Sequence, residues 1–164
     1  MGAIIKNNKL METQQEKNLM QVAEIQLSYK TKVKPSERPK IRSSKDAFNI
    51  LLQTWDDEKI EFVEEFRVML TNRANRVLGI VNISTGGNTG TVADPKIIFA
   101  AALKANACGL IMAHNHPSGN RQASKADIDL SKRMREGGKL LDIEVLDHII
   151  VTTEGYLSLM DEGL

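Results

Sequence analysis

The sequence predicts an α/β fold, a mixed β-sheet flanked by helices, on three observations. Short apolar runs of strand character alternate with helical segments along most of the chain. VEEFRVMLTN (63–72) and RVLGIVNIS (76–84) are separated only by Arg73–Asn75, so they form an antiparallel hairpin and make the sheet mixed. The length of 164 residues, 41% hydrophobic and 26% charged, suits one globular domain with its own core.

Taken in order, residues 1–44 read as a polar, basic leader and linker, expected to be partly disordered. Within it, AEIQLSYKTKV (23–33) has partial β composition and predicts an edge strand or clasp. KPSERPKIRSS (34–44), with two prolines, reads as extended. The folded domain then spans 45–164. Ser44 can cap a helix running to about Trp55. The hairpin follows. TGGNTG (85–90) is a turn region, because it lacks the Lys-Ser/Thr ending of a phosphate-binding loop. Asp94-Pro95 is a cap followed by a first-turn proline and starts a helix to about Ala107. CGLIMAH (108–114) has the unbroken apolar character of a buried strand. After the turn-rich HPSGNRQA (116–123), Ser124 opens a helix to about Glu136, with Gly137 and Gly138 expected to close it. EVLDHIIVT (144–152) is the last long strand, and YLSLMDEGL completes the chain.

The net charge of +1 hides an asymmetry, since residues 1–42 hold nine Lys or Arg against four Glu. A solvated leader is the plainer reading, and a phosphate-binding arm the sharper one. Cys108 is the single cysteine, which excludes an intrachain disulfide and points to a cytoplasmic setting. In its apolar run it is expected to be a buried small hydrophobe. MGAIIKNNKL lacks the apolar run of a signal peptide, and Lys6 stands where a myristoylation signal requires Ser or Thr. No stretch approaches the roughly 20 apolar residues of a membrane span, so no membrane partner is expected.

The chemistry is concentrated in His114-Asn115-His116-Pro117-Ser118-Gly119, followed by Ser124 and Asp127. In an extended chain, side chains two residues apart share a face, so His114 and His116 can present two imidazoles to one point. Pro117 and Gly119 turn the chain away, and Asp127 in the first turn of the next helix can bring a carboxylate back. Two neutral imidazoles and one carboxylate leave a fourth tetrahedral position for water, the pattern of a catalytic zinc site. Ser-x-x-Asp is also a capping device, and the two roles are compatible.

EEFRVML, the hairpin, and LIMAHNHPSGNRQASKADIDLSKRM through LDHIIV resemble the RadC family of JAMM/MPN metalloprotease-like domains, over about residues 45–160. The resemblance implies an MPN-type fold akin to the cytidine deaminase fold. It further implies Zn2+ held by His114, His116 and Asp127, with Ser124 assisting and an upstream glutamate as base. Full-length members also carry an N-terminal helix-hairpin-helix region, for which this sequence has no room, so it is similar to the short forms. The family's historical DNA-repair label is a weaker inheritance than its site chemistry.

The base is to be chosen among Glu58, Glu61, Glu64 and Glu65. Glu64 shares strand parity with Phe66, Val68 and Leu70 and so faces inward, where an idle carboxylate would be costly. The family pattern also lands on Glu64. Glu65, in phase with Arg67 and Thr71, reads as a solvated charge. Nothing in the spacing ties His148 to the metal, and a hydrogen-bonding role is expected for it.

The expected activity is zinc-dependent hydrolysis of a peptide or isopeptide bond in a protein or peptide substrate. Nucleic acid is the rival partner, and a catalytically silent metal-bearing scaffold is the other alternative. A zinc deaminase is excluded because one cysteine cannot supply its Pro-Cys-x-x-Cys pair.

Overall fold

A computed structural model describes residues 32–87 and 92–164. Residues 1–31 of the leader, with most of the 23–33 clasp, lie outside the described residues, whereas the 34–44 linker, expected to be extended, is tied to the domain by the Lys40–Arg76 bridge and by Ile41, which is buried in the core. Among the described residues, five strands form one mixed sheet in the order β2-β1-β3-β4-β5. They are β1 (Glu65–Thr71), β2 (Val77–Thr85), β3 (Gly109–Asn115), β4 (Glu144–Thr152) and β5 (Gly155–Ser158). Three helices flank it: α1 (Ser44–Thr54), α2 (Pro95–Lys104) and α3 (Lys125–Leu140). Only β3 and β4 run parallel, joined through α3, and the other neighbours are antiparallel. No helix among the described residues is long and apolar enough to cross a membrane.

Strand alternation divides the core into two halves. Met69, Ile111, Ala113, Ile149 and Val151 face α1, where Ala47 and Leu51 meet them. Phe66, Val68, Leu70, Leu110 and Met112 face α2 and α3, against Ile98, Ala102 and Met134. β3 is buried along its whole length, as a central strand covered on both faces must be.

Several boundaries differ from expectation for local reasons. Ser43, not Ser44, caps α1, its hydroxyl accepting from the Asp46 amide. Asp94 caps α2 as expected, but the helix stops at Lys104 because Asn106 adopts φ 50°, a helix-ending left-handed conformation. Cys108 is half-buried rather than buried, because it precedes β3 and lines a cavity of about 770 Å³ with Arg73, Arg135 and Lys139.

α3 runs through Gly137 and Gly138 instead of ending before them. The glycines serve close packing: a Cβ on Gly138 would collide with the Ile143 carbonyl oxygen, and one on Gly137 would stand 2.9 Å from the Phe99 ring. Gly138→Ala is therefore expected to destabilise the fold by about 1–3 kcal/mol, since backbone cannot step aside. Gly137→Ala meets only a movable ring edge and gains about 1 kcal/mol of helix propensity. Urea denaturation of the two variants should separate them, and equal midpoints would refute the packing role.

Candidate metal centre

The site forms where β3 ends and α3 begins. β3 pairs with β1 through Phe66 opposite His114, so both side chains stand on the α2/α3 face. The Phe66 ring lies parallel to the His114 ring at 6.0 Å and walls the site with hydrocarbon. His116 follows directly, its amide still donating to the Val151 carbonyl. The chain then turns, with Gly119 at φ 76° and its amide on the His116 carbonyl. That turn folds the Asn120 carbonyl back onto His116 Nδ1 at 2.7 Å. A carbonyl only accepts, so His116 carries its proton on Nδ1 and presents a lone pair at Nε2.

The same count fixes His114. Ser131 Oγ donates its one proton to the Asp127 carbonyl at 2.8 Å, and so accepts from His148 Nδ1 at 2.7 Å. His148 Nε2 is then an acceptor, and His114 Nδ1 donates to it at 2.9 Å. His114 Nε2 is left as a lone pair. Burial, first of all, holds both rings neutral: His114 is lowered to about 3, with His148 adding to the effect, and His148 to about 4.

Two Nε2 lone pairs therefore face each other at 3.0 Å, an arrangement that is repulsive unless a cation lies between them. Asp127 Oδ1 stands 3.4 Å from His114 Nε2. Two ligand atoms of a tetrahedral zinc, each about 2.0–2.1 Å from it, lie about 3.3 Å apart. His114, His116 and Asp127 thus fit such an ion, their ligand atoms all lying within 4.8 Å of one another.

Asp127 divides its carboxylate. Oδ2 accepts from the Ser124 amide and hydroxyl, each at 2.7 Å, while the Asp127 amide donates to Ser124 Oγ, a reciprocal capping box at the start of α3. Burial raises the Asp127 pKa, but the His114 ring and the two Ser124 hydrogen bonds outweigh it, and the group stays anionic below the usual carboxylate range. Ser124 is exposed, and its hydroxyl proton is on Asp127.

Glu64 sits just before β1, half-buried, in phase with Phe66. Its amide donates to the Gly87 carbonyl and its carbonyl accepts from Gly86. Glu65, expected to be solvated, is instead 2% exposed. Its Oε2 holds Arg67 Nη2 at 2.6 Å, and the Arg67 guanidinium stacks on Trp55 at 4.3 Å on the α1 side. A paired arginine makes that burial tolerable.

His148 is the residue whose place the sequence concealed. Leu110 pairs with Val145 but Ile111 pairs with Asp147, so β4 carries a bulge at Leu146. The extra residue inverts the alternation and turns His148, fully buried, to the His114 face. All three histidines of the chain thus meet at one point. His148→Ala is expected to weaken the affinity of the candidate site for a divalent metal about 10–100-fold, because His114 would lose the partner that fixes its tautomer. His148→Gln, whose amide oxygen can still accept from His114, should lose less. Competition with a chromophoric chelator measures both, and wild-type affinity in the alanine variant would break the relay.

A mixed sheet with an imidazole pair at one strand end and a carboxylate from the following helix defines a JAB/MPN-like domain with a candidate metal site. The family comparison agrees, as a family model described as RadC-like JAB domain matches residues 41–164. The chain belongs to the RadC-like JAB family. It is 41% identical over 125 residues to a UPF0758 protein of Flavobacterium johnsoniae, covering 76% of this chain and 53% of that one. A UPF0758 protein of Desulfitobacterium hafniense is 37% identical over 132 residues, covering 79% and 56%. The chain spans about half the length of the curated relatives it matches.

Proposed function

We propose that the protein is a zinc-dependent hydrolase of the JAMM/MPN type that cleaves peptide or isopeptide bonds. The observation that carries this reading is the pair of opposed Nε2 lone pairs, 3.0 Å apart, beside the Asp127 carboxylate. Zinc is the metal that two imidazoles and one carboxylate suit in a hydrolytic site. When bound, it lowers the pKa of a coordinated water towards ~7 and polarises a carbonyl.

The chain's own groups supply the rest. His114, His116 and Asp127 hold the ion. Glu64 takes the proton of the attacking water and returns it to the leaving amine nitrogen. Ser124 Oγ, by rotating its proton off Asp127 Oδ2, donates to the oxygen that gains charge at the scissile carbonyl. Loss of such a donor typically costs about 10²–10³-fold in rate. Phe66 keeps bulk water from one side of His114.

Metal analysis and hydrolysis together test this. One zinc per chain is expected after reloading, with cleavage of isopeptide-linked or linear peptide probes that a chelator stops and zinc restores. Protein that is folded but takes up no zinc ends the proposal. Metal uptake without cleavage of either probe class favours the silent scaffold.

A further inference from the structure

We infer that Asn115, the residue between the two histidines, positions Glu64. This deepens the function proposed above and rests on Glu64 being its base. Alternation along β3 turns the Asn115 side chain away from His114 and His116, to the opposite face of the sheet, where it is 0% exposed. There its amide binds one short segment some fifty residues earlier in the chain. Oδ1 accepts from the Glu65 amide at 2.7 Å, and Nδ2 donates to the Ile60 carbonyl at 2.7 Å and the Val63 carbonyl at 2.8 Å.

The need arises from the ladder. The β1–β3 register stops at Phe66 opposite His114, so the Glu65 amide has no strand carbonyl opposite it and would be buried unpaired. Asn115 Oδ1 replaces that carbonyl. Its Nδ2 holds Val63, so the clamp grips the backbone on both sides of Glu64. The Gly87 carbonyl accepts from Glu64's own amide, and the Gly86 amide donates to its carbonyl. Glu64 is thereby fixed at both flanks while its side chain keeps the parity of Phe66 and His114.

Only a carboxamide meets these demands. Aspartate has the same shape and can accept from Glu65, but its second oxygen would face two carbonyls. Asn115 touches no reacting atom in this scheme and is a positioning residue.

The test uses the full chain loaded with Co²⁺, whose visible spectrum reports the metal's surroundings. Asn115→Asp, Asn115→Thr and Glu64→Gln are compared with wild type in three measurements. All three variants should bind Co²⁺ within about threefold of wild type. In wild type, amide hydrogen exchange at Glu65 should be as slow as at Met112, and in the Asn115 variants only the 60–65 segment should speed up, by at least tenfold. The pH midpoint of the cobalt spectrum should fall by about one unit in Glu64→Gln, since a nearby negative charge is removed. It should fall likewise in the Asn115 variants.

A midpoint that moves in Glu64→Gln but stays put in the Asn115 variants overturns the inference. So does fast Glu65 exchange in wild type, a result that needs no variant to fold, and so does loss of protection throughout β3. A midpoint unmoved by Glu64→Gln instead overturns the reading of Glu64 as base.

Discussion

Glu64→Gln is expected to cut the hydrolytic rate constant by about 10²–10⁴-fold, the usual contribution of a positioned general base, with zinc still bound at one per chain. The substitution keeps shape and removes only the basicity. The proposed metal ligands are His114, His116 and Asp127, so the substitution leaves the candidate ligand set unchanged. Its neighbour provides the control. Glu65→Gln leaves the proposed base in place but takes the counter-charge from Arg67, which is itself largely buried. Breaking a buried pair costs about 3–5 kcal/mol, so Glu65→Gln should fall in stability and keep its turnover in the fraction that is folded. Steady-state kinetics with metal analysis and urea denaturation distinguish the two. An active Glu64→Gln variant would remove the assigned base.

The second large effect is acid lability of the metal-free protein. His114 and His148 titrate near 6.5 when unfolded, but burial lowers them to about 3 and about 4 in the fold. A depressed histidine pKa means that the unfolded chain binds the extra protons first. The stability these rings confer is therefore complete above pH 6.5 and is lost as pH falls from there through about 4 to 3. At about 1.4 kcal/mol per unit the loss reaches several kcal/mol, comparable with the whole stability of a small domain. Asp127, also depressed, holds its contribution above the ordinary carboxylate pKa and loses it as pH falls below that. Asp147 acts in the opposite sense, because burial raises its pKa and its protonation favours the fold. Urea midpoints measured at pH 7, 6, 5 and 4 should drop steeply, and zinc should oppose the drop by binding the native state alone. A flat profile between pH 6.5 and 4.5 would contradict buried neutral rings.

Much of this was readable from the residues. Alternation placed β1 and β2 to within two residues and β4 at its observed bounds, and the 114–127 spacing named the three groups that converge. What escaped depends on tertiary contacts. Counted from Val145, strict alternation would point His148 away from His114, and only the bulge at Leu146 reverses it. Glu65 looked solvated because its partner, Arg67, lies on the face that Trp55 covers, a contact no local pattern encodes. Gly137 and Gly138 resembled a helix stop, but their smallness answers to Phe99 and Ile143.

The divided carboxylate of Asp127 has a consequence for which residue can stand there. Asparagine would keep an oxygen for Ser124 yet present the ion with a neutral group. Glutamate would reach the ion with a longer arm and lift off the helix start. Serine would begin the helix well and ligate nothing. One position thus answers to two masters, the first turn of α3 and the proposed coordination sphere, and aspartate alone has the reach and charge for both. In the proposed metal-bound state, removing the ion would loosen the helix where it begins, and fraying that turn would release the ion.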